Sequence, residues 1–293
     1  TNPTSRFSDR VDNYVRFRPT YPDRVIEWLR SETALTASSV IADVGSGTGI
    51  SAELFLRLGC TVFCVEPNRE MRTAAERLLS GYTRFHSVIG TAEATTLADQ
   101  SVEFIVAAQA FHWFDPRKAR AEFSRILNPP GWTVLMWNVR RVDSTSFLRA
   151  YEDLLKTYAT DYAKVRHENI GASELKQFFK DGTYKTHSVA HEQRFDFGGL
   201  KGRLLSSSYA PAEGQPGHEP MLKELAVIGA QVREGSLLAL GEGAVMVDPS
   251  ADADKDRVIT SRGRILGGGV ALKSRPLGMV LKPNFQNVAV AAQ

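Results

Sequence analysis

Cysteine is nearly absent. Cys60 and Cys64 are the only two in 293 residues, and both lie in the apolar stretch "CTVFCV". No disulfide framework follows from such a pair, and C-x3-C alone is a poor metal signal, so two core thiols are expected. Long hydrophobic runs are also missing. No apolar run approaches the roughly 18 residues of a membrane span, and the opening "TNPTSRFSDR" lacks an apolar signal core. A cytoplasmic protein without a membrane partner is expected. Charge of one sign is scarce too. Thirty-six basic and 33 acidic residues leave a net charge of +3, which does not suit a nucleic-acid partner. "RKAR" at 117–120 reads as a helix face, not a basic patch. Aromatic residues fail in the last part of the chain, where Phe285 is the only one after residue 228.

Short apolar runs do alternate with helical patterns between residues 23 and 137. The spacing predicts a helix in "DRVIEWLRSETAL", a strand at 40–44, and a helix in "ISAELFLRLG" stopped by Gly59. Strands follow at 61–66, 85–89, 102–108 and 132–137. Between them lie a helix ending at Gly81 and another capped by Asp115-Pro116 and broken by "NPPG". Strict strand–helix alternation predicts an α/β fold: a doubly wound, mainly parallel sheet covered on both faces. Beyond strand five, "SFLRAYEDLLKTY", "SELKQFF", "LKGRLLSSS" and "EPMLKELAVIG" read as helices, and 184–197 as extended chain. These pieces are expected over the carboxyl edge of the sheet, where ligands of such folds sit.

Residues 229–293 hold nine glycines, three of them consecutive at 267–269. No helical period there exceeds two turns. A flexible or poorly packed tail is the preferred reading, with an ordered hairpin as the alternative.

Three glycines stand at Gly45, Gly47 and Gly49 in "VIADVGSGTGI", directly after the first strand. A dinucleotide fingerprint would place its third glycine at position 50, which is Ile50. Asp43 precedes the glycines inside the strand. A carboxylate there repels a pyrophosphate and attracts a sulfonium cation. Strand two ends in Glu66, followed by Pro67, and an acid at that point suits two ribose hydroxyls. "GTAEATTL" follows strand three and "QAFHWFD" follows strand four, both at carboxyl ends.

In this order, "ADVGSGTG", "VEPNREM", "GTAEATTL" and "AQAFHWFD" resemble the class I S-adenosylmethionine-dependent methyltransferases. The likeness is to small-molecule enzymes of the methyltransferase type 11 and trans-aconitate-methyltransferase-like kind. It covers residues 6 to about 228, and "RFSDRVDNYVRFRPTYP" resembles the N-terminal lid of that family. The resemblance implies a Rossmann-like fold and S-adenosylmethionine as cofactor. It implies Gly45, Ser46 and Gly47 beside the methionine part, with Glu66 at the ribose and Met71 flanking the adenine. Ala92 and Glu93 would meet the adenine edge, and Gln109 would line the pocket after strand four. It also implies a last antiparallel, aromatic-rich strand near the C-terminus, for which residues 229–293 offer no match.

The expected division is a methyltransferase domain over 1–228, with a lid at 1–22 and an acceptor cap at about 144–220, and an atypical glycine-rich tail at 229–293. The expected reaction is in-line methyl transfer to a small-molecule acceptor. A non-catalytic methyltransferase-like binding module and an NAD-dependent oxidoreductase are the alternatives. His112 is a candidate general base, substrate contact or structural histidine. Trp113 suits an apolar wall. Tyr14, Arg18 and Tyr21 belong to the lid, and Arg18 has the fork that binds a carboxylate. No metal is expected, and the acceptor and oligomeric state are not readable.

Overall fold

Alternation along the central strands decides the architecture. In the computed structural model, which describes residues 10–163, 171–179, 184–230, 238–246 and 288–292, strands β1 (Val40–Val44), β2 (Thr61–Val65), β3 (Phe85–Val88), β4 (Val102–Ala108) and β5 (Leu127–Met136) pair in parallel in the order β3-β2-β1-β4-β5. Both faces are apolar because odd and even positions both are. Phe104, Val106, Val134 and Met136 pack on one side with helices α2 (Arg24–Glu32) and α3 (Ile50–Leu58). Ile105, Ala107 and Leu135 pack on the other side with α5 (Pro116–Ile126).

Local signals start the helices. Asn68 Oδ1 accepts from Met71 N at 2.8 Å and opens α4 (Arg69–Leu78). Asp115 Oδ1 accepts from the amides of Arg117 and Lys118 at 3.1 and 3.2 Å, and Pro116 takes the first helical position of α5. α4 ends at Leu78, short of the expected Gly81.

The "NPPG" stretch is not a break between helix and strand. β5 starts at Leu127 and runs through it, and its register against β4 shifts between Val102 and Phe104. That irregularity accommodates two prolines, which have no amide hydrogen to give a ladder.

A separate apolar cluster joins α6 (Ser146–Tyr158), α8 (Phe197–Leu205) and α9 (His218–Ala230) through Leu154, Leu155, Leu200, Leu204, Met221 and Leu225. α1 (Val11–Phe17) lies on α8. Arg10 Nη1 donates to Ser207 O at 2.6 Å and Arg18 Nη2 to Ser206 O at 2.9 Å. α7 (Ala172–Phe178) is not part of this group. Its Phe178, together with Phe179, packs with Phe123 of α5 on the sheet.

The structure differs from the expected loose tail at two places. β7 (Leu238–Met246) pairs antiparallel with β6 (Lys185–Phe195), and β8 (Val288–Ala292) inserts antiparallel between β5 and β6. β8 takes the place of the missing last strand. It is built from valine and alanine, "VAVAA", where an aromatic-rich segment was expected. Its backbone covers the edge of β5, a constraint that hydrogen-bond geometry imposes whatever the side chains are. The boundary at 228 falls inside α9. Residues 1–9 of the expected lid, and 231–237, 247–287 and 293 of the expected tail, lie outside the described residues.

Truncating the chain before Val288 is therefore expected to expose the β5 edge and cause aggregation that rises with protein concentration. Light scattering of the truncated and full chains checks this; a truncated chain that stays monomeric with an unchanged unfolding midpoint contradicts the role of β8.

Candidate active site

The turn after β1 shapes the site. Gly45 (φ 70°) and Gly47 (φ 57°) take the left-handed backbone region that side chains disfavour. A Cβ on Gly45 would stand 2.7 Å from Ala110 Cβ, so only glycine lets the turn close on the end of β4. A Cβ on Gly47 would meet nothing within 4 Å. Gly47 thus presents bare peptide to an open cavity, as a closely held ligand requires.

That cavity measures about 290 Å3 and opens at the carboxyl ends of β1, β2 and β4. Gly45, Gly47, Glu66, Pro67 and Met71 line one part of it, and Ala92, Glu93 and Gln109 another. Glu66 is buried. Its Oε2 accepts from Gly47 N and its Oε1 from Asn68 N, both at 2.8 Å. Burial pushes its carboxyl up, against these two bonds and Arg72. Each oxygen keeps a second lone pair for a ligand hydroxyl. Glu93 Oε1 accepts from Asp115 N at 2.9 Å and ties the loop after β3 to the start of α5.

Gln109 has φ 56°, uncommon for a residue other than glycine and typical of functional sites. Its amide donates to Met136 O at 2.8 Å and its Nε2 to Asn138 O at 3.1 Å. The ends of β4 and β5 are thereby locked together.

Two of the expected cofactor residues do not reach the wall. Asp43 is fully buried behind the glycine turn, where its Oδ2 accepts from Ser51 Oγ in the first turn of α3 at 2.6 Å. Its Oδ1 has no partner among the described residues. Burial pushes its carboxyl up to about 7, with the Glu66 charge adding to the rise and the Ser51 bond opposing it. Ser46 is likewise buried and absent from both cavity walls. The reason for Asp43 is the strand period, which turns its side chain toward α3.

A second cavity, about 130 Å3, adjoins the first. Tyr14, Ala108, Gln109 and Trp113 belong to both walls. His112, Arg18 and Tyr21 line the smaller one. His112 lies in the turn Phe111–Trp113, with its ring 4.8 Å from that of Trp113.

The sequence reading missed the rest of this wall, which includes Asn138, Arg140, Tyr162 and Arg203. Arg140 donates to Glu152, which also accepts from Tyr162 Oη at 2.7 Å; the Arg140 guanidinium stacks 5.1 Å over Tyr151. Burial pushes the Tyr162 phenol up, so it stays a donor. A signal was present: Glu152 sits in the apolar stripe of α6 between Leu148 and Leu155, and Arg203 sits between Leu200 and Leu204. Buried charges in an apolar stripe call for partners. Among the described residues no His, Cys, Asp and Glu cluster could hold a metal, and no helix is long and apolar enough to cross a membrane.

Comparison with known proteins agrees with this geometry. Residues 42–135 match the family model described as a methyltransferase domain. An uncharacterized methyltransferase of Mycobacterium tuberculosis is 37% identical over 134 residues, 46% of this chain and 52% of that protein. An uncharacterized methyltransferase-like protein of Schizosaccharomyces pombe is 30% identical over 156 residues, 53% of this chain and 59% of that one. The chain thus spans between half and three-fifths of the length of these relatives. A solved structure, a proposed type II methyltransferase from Anaeromyxobacter dehalogenans, shares the fold with a TM-score of 0.57 at 21% identity, over 78% of this chain and 95% of that one. Family model, relatives and fold converge on the β1–β5 half of the sheet and its glycine turn: this part of the chain is similar to methyltransferase domains and shares their α/β fold.

Proposed function

We propose that the larger cavity binds S-adenosylmethionine and the smaller one a small-molecule acceptor of its methyl group. The observation that carries this reading is the shared wall. Two cavities meet at Tyr14, Ala108, Gln109 and Trp113, none of which carries a charge. Such an arrangement suits in-line transfer between two ligands. The bound cofactor supplies an activated methyl group on a sulfonium sulfur.

The chain's own residues position the partners and exclude water. Glu66, fixed by the Gly47 and Asn68 amides, accepts the two ribose hydroxyls. Met71 and Ala92 are buried apolar groups on the same wall and suit the faces of an adenine ring. Trp113 and Tyr14 close the junction. Positioning of this kind is worth roughly 7–11 kcal/mol of a barrier.

Calorimetry with S-adenosylhomocysteine, the demethylated product, tests the reading. Glu66→Ala is expected to weaken binding by roughly 1.5–3 kcal/mol, the range for hydrogen bonds to a charged group. Equal affinity in the variant, or tighter binding of NAD than of S-adenosylhomocysteine by the wild type, refutes it.

The buried carboxyl of Asp43 generates a second expectation. Its folded value near 7 stands above the unfolded value near 4, so the folded chain keeps a proton that the unfolded chain loses between them. Stability therefore falls as pH rises through that window and levels off above it, by on the order of 3–4 kcal/mol for this one group. Glu66 contributes a slope of the same sign. Asp43→Asn is expected to gain stability relative to the wild type between pH 4 and 7. Denaturant midpoints of the two proteins across that range measure it, and parallel pH profiles contradict it.

A further inference from the structure

The loop between β3 and β4 belongs to no helix or strand, yet it supplies Thr91, Ala92 and Glu93 to the larger cavity. Its backbone is not relaxed. Thr96 has φ 66°, in the left-handed region. A β-branched residue resists that region, so its surroundings must impose it. Thr91 and Ala94 bridge the loop, and Thr96 Oγ1 donates to Ile89 O at 3.3 Å across its base. These contacts shape the loop but do not fix where it sits.

Helix α5 fixes its place at two points. At the cavity end, the amide of Asp115, the cap of α5, donates to Glu93 Oε1 at 2.9 Å. About two turns further along, Glu122 holds the strained end. Thr95 is fully buried and gives Glu122 Oε1 two bonds, from its N at 2.7 Å and from its Oγ1 at 2.5 Å. The same Oγ1 accepts from Leu97 N at 3.3 Å, so bonds stand on both sides of Thr96. Glu122 is held in turn. Arg125 donates to both its oxygens, Nε to Oε2 at 2.9 Å and Nη2 to Oε1 at 2.7 Å. Arg125 Nη1 also reaches Asp99 Oδ1 at 2.6 Å. The Arg125 bonds, with those from Thr95, hold the Glu122 carboxyl down at about 2, so it is charged at neutral pH. Glu122 itself stands in neither cavity wall.

We propose that Glu122 is a positioning residue for the base of the cofactor. Through Thr95 it holds the loop, strained at Thr96, in the conformation that sets Ala92 and Glu93 against the purine edge. Glu122 touches no ligand and acts only through the loop. An ionised carboxylate at position 93 accepts from an amino group and repels a carbonyl oxygen, so it tells a 6-amino from a 6-oxo purine. Without the Glu122 bonds, Thr96 returns to an ordinary backbone conformation and carries the loop with it. The reading of the base is then lost, while the Glu66 site for the ribose, built on the turn after β1 and the end of β2, stays in place. This inference rests on the methyltransferase reading above.

The full chain is titrated with S-adenosylhomocysteine and with S-inosylhomocysteine, which carries a 6-oxo group in place of the amine. The wild type is expected to prefer the amino form roughly tenfold, the scale of one hydrogen bond to a charged group. Glu122→Ala is expected to bring the two affinities within about twofold of each other. A merely structural role would weaken both ligands alike and leave their ratio unchanged. Glycine takes the left-handed backbone without strain. Thr96→Gly alone is therefore expected to keep the preference, and Thr96→Gly added to Glu122→Ala to restore part of it. Near-ultraviolet circular dichroism shows that each variant is folded. Where Glu122→Ala fails that check, Thr95→Val serves, since it removes the Oγ1 bond to Glu122, and it is expected to lower the same preference. The inference is overturned by a wild type without preference, by an unchanged ratio in the folded variant, or by a double variant no better than Glu122→Ala. Failure of the wild type to bind S-adenosylhomocysteine at all is a different result, and it overturns the methyltransferase reading itself.

Discussion

The hydrogen bond from the Gly47 amide to Glu66 joins the turn after β1 to the end of β2, and most of the site is measured from it. It fixes a carboxylate at the rim of the larger cavity. It holds the turn in a conformation that only glycine takes easily, and the same turn presses Gly45 against Ala110 at the end of β4. Three strand ends are brought to one small volume by a single loop. Most of what lines the larger cavity follows one of those strands; Thr91, Ala92 and Glu93 come from the loop after β3 and Tyr14 from α1.

The roof of the site has a different origin. α6, α8 and α9 form their own apolar cluster, and Arg203 of α8 reaches the smaller cavity. The Arg140–Glu152–Tyr162 set ties the loop after β5 to α6 and to the chain just beyond it. α1 is tied to the far side of the same roof through two arginine contacts and through Phe17, whose ring occupies the space a side chain on Gly202 would fill. Loops at the carboxyl ends of the strands thus carry most of the larger cavity, and the segments flanking α1, α6 and α8 carry much of the smaller one. The family-model match covers residues 42–135 and so belongs to the strand half that carries the larger cavity.

How far this was legible from the sequence depends on the kind of signal. The five parallel strands were readable because both faces are buried and each strand is an apolar run. Glu66 was readable because its place is set by chain order, one residue past β2. Asp43 was readable as a charge but not in its direction, since strand alternation turned it under the glycine turn toward Ser51. Pro129 and Pro130 hid the start of β5, because prolines signal breaks unless a register shift accommodates them. β8 was invisible for another reason. A five-residue run of valine and alanine has no pattern of its own, and its position is decided by the edge it completes. Arg140, Asn138 and Arg203 were missed because a pocket wall drawn from three distant segments leaves no local spacing.

The insertion of β8 between β5 and β6 has a consequence for the order of events in folding. β6 and β7 pair with each other in chain order, and the parallel half can assemble from its own βα units. Among the described residues, the two halves share no ladder until residues 288–292 arrive between them. That closure spans about 150 residues of chain, the kind of distant pairing that slows folding. A nascent chain emerging from the ribosome would hold a formed glycine turn and the rim of the larger cavity well before its sheet is continuous. Until then, β5 keeps an open edge that another chain could pair with.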